Sequence, residues 1–200
     1  MKLKIYTKVG DDGYTFTLGG VKVRKDDLRI KAYGEIDELT SWLSVIVSHV
    51  DSIQDSYERE RIVNFLNLVQ NRLFDTGTLV IGMSIQDVKD WVSDIEKEID
   101  YMEEKLKPIR KFILPGGSKL SSFTHVARCV CRRAEREVVE LSSKVEIDKN
   151  IIMFLNRLSD YLFVLARYFN FLLNVDDIVR GESIYVKNKI KIKPNRTENT

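Results

Sequence analysis

Arg128, Arg132, Glu135 and Arg136 stand at i, i+4, i+7 and i+8. On a helix that spacing lines up three guanidiniums and one carboxylate along one face. A guanidinium offers planar, paired N–H donors that match phosphate oxygens, so the row has the chemistry of a polyphosphate clamp. Arg133 adds a further guanidinium to the segment Arg128-Cys-Val-Cys-Arg-Arg-Ala-Glu-Arg. A solvated basic face would look the same, and spacing alone does not decide between the two.

Three further segments carry candidate chemistry. Tyr6-Thr-Lys-Val-Gly-Asp-Asp-Gly-Tyr-Thr is rich in glycine and hydroxyls. Gly10 and Gly13 let backbone N–H groups approach an anion, and Thr7, Lys8 and Thr15 add donors. It is not a G-x-x-x-x-G-K-[ST] loop, and no G-x-G-x-x-G follows a strand. In Phe154-Leu-Asn-Arg-Leu-Ser-Asp-Tyr, Asn156 and Asp160 share a face. Asparagine is a poor helix-interior residue, so Asn156 serves either a ligand or an interhelical hydrogen bond. In Ala32-Tyr-Gly-Glu-Ile-Asp-Glu, Gly34 permits close approach and Asp37 suits an arginine partner. The alternative for Asp37 is an acid complementing the dipole of a helix's first turn.

These residues need helices to position them, and the apolar pattern supplies five. Leu28, Ala32, Ile36, Leu39, Leu43, Val47 and Val50 recur at helical spacing from about Asp27. A second run covers about Tyr57 to Leu79, with Gly77 and Gly82 flanking its end. A third covers about Ile85 to Leu106 and stops at Pro108. Phe112-Ile-Leu-Pro-Gly-Gly-Ser is a short apolar piece closed by helix breakers, after which Ser118 can cap a helix running to about Leu141. The fifth helix spans about Asp148 to Asn174. Five amphipathic helices with short connections and almost no strand signal predict an all-α, antiparallel five-helix bundle. Residues 1–26 read as an orderable loop, 27–174 as the bundle and 181–200 as a flexible tail, so residues 1–180 form a single domain.

Composition narrows the field. The chain has 200 residues, 44% of them apolar, enough for a sizeable core. Lys+Arg at 32 nearly balance Asp+Glu at 30, so no global field points to nucleic acid. Cys129 and Cys131 form neither a disulfide framework nor a tetrahedral metal set with His49 and His125. Reduced cysteines and a start without an apolar core segment suggest a cytoplasmic protein. The most apolar stretch, Tyr161 to Val175, is interrupted by Arg167 and Asn170 and is too short to span a membrane. A ferritin-type di-iron site needs Glu-x-x-His, yet Ile46 and Ser122 stand three residues before the histidines.

Taken in order along the chain, the segments resemble the ATP:corrinoid adenosyltransferases of the propanediol-utilisation type. The matching pieces are Ile5-Tyr-Thr-Lys-Val-Gly-Asp-Asp-Gly, Lys25-Asp-Asp, Ala32-Tyr-Gly-Glu-Ile-Asp-Glu, Phe112-Ile-Leu-Pro-Gly-Gly, the Arg128–Arg136 segment and Leu155-Asn-Arg-Leu-Ser-Asp-Tyr-Leu-Phe. The resemblance implies a homotrimeric helix bundle that moves the 5′-deoxyadenosyl group of ATP onto reduced cobalamin. It implies that Thr7, Lys8, Gly10 and Thr15 lie near the phosphates and that Lys25 closes the site. Arg132, Arg133, Glu135, Arg136 and Asn156 would complete the nucleotide site. Asp37 and Arg128 would join neighbouring subunits, and Phe112 would lie near the corrin ring. Mg²⁺ would accompany ATP, and a reductase and a B12-dependent mutase are the expected partners. Val9 and Phe16 depart from the family, which has a hydroxyl and a small polar residue there. A non-catalytic ATP- and corrinoid-binding sensor or delivery protein is the alternative on the same bundle.

Overall fold

Four of the helices begin at a side chain that takes one of the free amides of the first turn. Asp27 accepts from Arg29 N, Asp55 from Glu58 N, Ser118 from Ser121 N and Asp148 from Asn150 N. In this computed structural model, which describes residues 4–84 and 88–181, the helices are α1 (Leu28–Val47), α2 (Ser56–Val80), α3 (Trp91–Glu103), α4 (Lys119–Ser142) and α5 (Lys149–Leu172). α1 is followed by a 3₁₀ turn, Val50–Ser52, which carries Val50 into the core beyond the helix end. α3 starts later than its apolar pattern suggests. Val88 is buried from the turn ahead of the helix, so burial there continues without helical backbone. The expected start near Ile85 and the tail from residue 182 lie outside the described residues.

Cross-helix contacts give the arrangement. Tyr33 and Thr40 of α1 meet Gly77 and Gln70 of α2, so the pair is antiparallel. Arg61 and Arg72 of α2 meet Glu98 and Asp94 of α3, again antiparallel. Glu35 and Trp42 of α1 meet Arg133 and Phe123 of α4, and Glu135 and His125 of α4 meet Asn156 and Phe163 of α5. Trp91 and Glu96 of α3 meet Phe154 and Arg157 of α5, which therefore run parallel. The order around the bundle is α1-α2-α3-α5-α4. A closed ring of five cannot alternate throughout, and α3/α5 is where the antiparallel pattern breaks. Because α5 sits between α3 and α4, the connection between those two helices must cross the C-terminal end of α5.

Leu39, Leu43, Leu66, Leu73, Ile95, Leu155, Leu158 and Leu162 are fully buried in the centre. Each such side chain contributes about 1.5–3 kcal/mol. Gly77 lies within α2 rather than at its end, and it is small because the Tyr33 ring packs 3.1 Å from where a Cβ would stand. Gly82 does follow the helix, with φ +97°.

Two small sheets were not expected from the sequence. β1 (Tyr14–Phe16) pairs antiparallel with β2 (Lys22–Arg24) inside the N-terminal loop. β3 (Ile113–Leu114) pairs with β4 (Ile178–Val179), joining segments far apart in the chain. Among the described residues no helix is long and apolar enough to cross a membrane.

Candidate functional site

α4 turns its small and branched side chains inward: Ala127, Val130, Cys131, Ala134 and Val138 are buried. Helical periodicity then sends Arg132 and Arg136 outward, where both are exposed. Neither has an ion-pair partner among the described residues. Their neighbour Arg133 differs, for it bonds both Glu35 and Glu38 of α1. Within one chain Arg133 is a clip between helices, while Arg132 and Arg136 remain available to an anion.

Asn156 of α5 donates from Nδ2 to Glu135 Oε1 at 3.0 Å. This is the interhelical hydrogen bond that the sequence left open, and it sets Asn156 beside the arginine row. Asp160 does not share it, because its carboxylate accepts from Arg157 at 3.1 Å.

Arg128 is half-buried one turn before Arg132, and its Nε has no partner. His125, one turn further back, is 4% exposed, and its Nδ1 is also unpartnered. Burial, and then the nearby Arg128 cation, push the His125 pKa down to about 4, so the ring is neutral at pH 7. Asp37 lies midway along α1, exposed and without a partner among the described residues. Its position rules out the first-turn reading, since α1 begins at Leu28 with no acid in its first turn. Nothing approaches Gly34 within 4 Å of a Cβ position, so it makes no close contact inside the chain.

The N-terminal loop forms a second group. Lys8 adopts φ 62°, and successive turns follow as Asp11 N donates to Lys8 O and Gly13 N to Gly10 O. Lys25 N donates to Gly13 O at 3.0 Å. Its Nζ lies 3.0 Å from where a Gly10 Cβ would stand, so a side chain at Gly10 would displace the ammonium. Thr15 is held in the hairpin opposite Val23. Thr7, Lys8, Val9, Phe16 and Lys25 are exposed. Among the described residues no hydrogen bond or ion pair joins this loop to α4 or α5.

Phe112 stands apart from both groups and is 80% exposed. It lines a cleft of about 450 Å³ with Ile109, Ile113 and Phe163, rimmed by Arg110 and Lys111. Sequence reasoning missed Phe163. Its signal was an aromatic off the apolar stripe of α5. It also passed over Arg167 and Asn170, read only as interruptions of an apolar run. Both are buried, and each holds the segment that carries Phe112. A buried guanidinium or amide inside an apolar run requires a partner, and that requirement was the signal.

No group of three or more His, Cys, Asp or Glu among the described residues is arranged to hold a metal ion.

Residues 5–169 match the family described as cobalamin adenosyltransferase. A corrinoid adenosyltransferase of Bacillus subtilis is 41% identical over 188 residues, covering 92% of this chain and 95% of that protein. A human corrinoid adenosyltransferase is 39% identical over 176 residues, covering 82% of this chain and 68% of that protein. A PduO-type ATP:corrinoid adenosyltransferase from Lactobacillus reuteri, solved with cobalamin and ATP as a phenylalanine-to-histidine variant, superposes with a TM-score of 0.82 at 37% identity. That match covers 90% of this chain and 98% of the solved one. An arginine-to-lysine variant from the same organism, solved with ATP, gives 0.79 at 37% identity.

Proposed function

The chain belongs to the cobalamin adenosyltransferase family, and from that premise we propose how its residues divide the work of the reaction. The protein transfers the 5′-deoxyadenosyl group of ATP to Co(I) of a reduced corrinoid. Co(I) is a strong nucleophile. Its electron pair forms the bond to C5′ as the C5′–O bond breaks, and triphosphate departs with the bonding electrons. The product is an alkyl-Co(III) corrinoid. Such a reaction needs positioning and charge neutralisation more than a general acid or base.

The observation that carries the assignment is the contrast along α4. Among the described residues Arg132 and Arg136 are exposed and unpaired beside the Glu135–Asn156 hydrogen bond, whereas Arg133 is already neutralised. Arg132 and Arg136 take the triphosphate oxygens, with Asn156 oriented by Glu135 to bind the nucleotide. The loop supplies Thr7, Lys8 and Thr15, and Lys25 packed over Gly10 closes the site. Arg133 serves the site indirectly, by fixing α4 against α1. Mg²⁺ would enter with ATP and add positive charge against the departing triphosphate.

Phe112 and Phe163 form the apolar wall for the corrin face. A wall there disfavours the lower axial ligand of Co(II) and excludes water, which eases reduction to Co(I). The working unit is a homotrimer with sites between subunits. In support, among the described residues Asp37 and Arg128 Nε lack partners, and no hydrogen bond or ion pair joins the loop to α4. Asp37 of one subunit then pairs with Arg128 of the next. Residues 1–180 act as one domain in the cytoplasm, a reductase provides the electron for Co(I), and a B12-dependent mutase uses the product.

An anaerobic assay with chemically reduced cobalamin, Mg²⁺ and ATP tests the activity. ATP-dependent loss of the cob(I)alamin absorbance, with a light-sensitive Co–C bond and free triphosphate, is the expected result. ATP binding without that change would make the protein a sensor or delivery module instead.

A further inference from the structure

We propose that Asn170, together with Arg167 and Asp177, is the positioning set that holds Phe112 at the corrin cleft, an inference that rests on the adenosyltransferase reading. The segment from Lys107 to Ser118 must cross the end of α5 to connect α3 with α4, and it carries Phe112 at its middle. Phe112 is 80% exposed, so core packing does not place it. The backbone around it must be fixed instead.

α5 supplies the fixing groups. Asn170 is 2% exposed in the last turns of the helix. Its Oδ1 accepts from Ser118 N at 2.8 Å, and its Nδ2 donates to Gly116 O at 3.0 Å and Asp177 Oδ1 at 3.2 Å. A donor on one side and acceptors on the other allow only this orientation of the amide. Gly117, at φ +106°, passes so close that a Cβ would lie 2.5 Å from the Asn170 amide. Arg167 holds the other end of the crossing, donating from Nη2 to Lys107 O at 2.7 Å. Its Nε donates to Asp177 Oδ2 at 2.8 Å, so Asp177 joins the two side chains. Asp177 directly precedes β4, which pairs with β3, and Arg180 N donates to Phe112 O at 2.8 Å.

The crossing is therefore tied at its start, its middle and its end, and Asp177 links all three ties. Burying an amide and a guanidinium costs free energy unless each is bonded, and here every bond goes to the segment bearing Phe112 or to the residue that organises it. None of the three side chains lines the Phe112 cleft. They act through the backbone, as positioning residues.

The test uses the full-length enzyme, with Asn170→Ala and Asp177→Asn compared with Phe112→Ala. Steady-state constants are measured separately for corrinoid and ATP, and the EPR spectrum of Co(II) corrinoid is recorded in the presence of ATP. For Asn170→Ala the corrinoid KM rises about tenfold, within the roughly 10²-fold cost of a small misplacement, while the ATP KM stays within about twofold. The Co(II) spectrum shifts from the wild-type form towards that of the free corrinoid, as in Phe112→Ala. Should Asn170→Ala fail to fold, Asp177→Asn decides. Its side chain is 23% exposed, and the change keeps an oxygen for Asn170 while removing the charge facing Arg167. It gives a smaller shift in the same direction. A folded variant with an unchanged Co(II) spectrum, or with both KM values raised together, overturns the proposal. Failure of the wild-type enzyme to form a Co–C bond would refute the adenosyltransferase reading instead.

Discussion

The bundle treats charge in opposite ways at two places. Between α2, α3 and α5, Glu58 accepts from Lys105 Nζ at 2.7 Å, Arg61 Nε at 3.1 Å and the Tyr101 hydroxyl, and Arg61 also pairs with Glu98. The Glu58 side chain is 5% exposed, and its partners outweigh the cost of burial and hold its pKa down to about 2. On the outer face of α4 the same residue types lie open, with Arg132, Arg136 and the distant Asp37 unpaired among the described residues. A closed network is a device for holding helices in register. An open row with a satisfied neighbour in its midst is a device waiting for a ligand or a second subunit. Side-chain exposure alone does not separate the two cases, because the Arg133 side chain is 41% exposed and still paired.

Substitutions sharpen this difference. The largest effect belongs to Arg132→Gln, which should lower kcat/KM by about 10²–10³ and leave the melting temperature nearly unchanged. Next comes Glu58→Ala, which should cost about 3 kcal/mol of stability by taking from Lys105, Arg61 and the Tyr101 hydroxyl their shared buried acceptor, measured by urea unfolding, with activity per folded molecule preserved. If Glu58→Ala cut turnover without loss of stability, the division between the regions would break.

The pH dependence of unfolding probes the buried groups further. A folded-state pKa below the unfolded value means stability that is present at higher pH and lost as pH falls. His125, lowered from 6.5 to about 4, should cause a first decline as pH falls through that window. Glu58, lowered from 4.5 to about 2, should cause a second. Glu58→Gln should flatten the lower stage only, and His125→Gln the upper. Asp37→Asn has a smaller effect, about a tenfold loss of turnover with an unchanged circular dichroism spectrum; native turnover would remove Asp37 from the interface. Smallest is Arg133→Gln, below about 1 kcal/mol of stability and within about threefold in turnover.

Most helices were legible because their signals were local. Ser118 capped its helix where the sequence placed it, and Asp27 and Asp148 cap the helices that were expected to begin near them. The α4 row was legible for the same reason, since a helix turns spacing into a face. What was hidden depends on long-range partners. Nothing near Arg133 in sequence announces Glu35 and Glu38, so it stood as a further nucleotide-site candidate beside the row. The β3–β4 pairing joins two-residue strands across all of α4 and α5, too short and too distant to leave a pattern. Arg167 and Asn170 broke an apolar run, but only the crossing of the α3–α4 connection over α5 explains why. Val88 illustrates the reverse error, a buried residue whose periodicity extended the expected helix into a turn.

In the proposed division of work Arg132 is reserved for triphosphate whereas Arg133 is not. Isothermal titration of inorganic triphosphate into wild-type, Arg132→Gln and Arg133→Gln proteins tests it most directly. Arg132→Gln should weaken the Kd at least tenfold, about 1.4 kcal/mol, and Arg133→Gln should change it by no more than about twofold. Equal weakening in both variants, or a larger loss in Arg133→Gln, would contradict it.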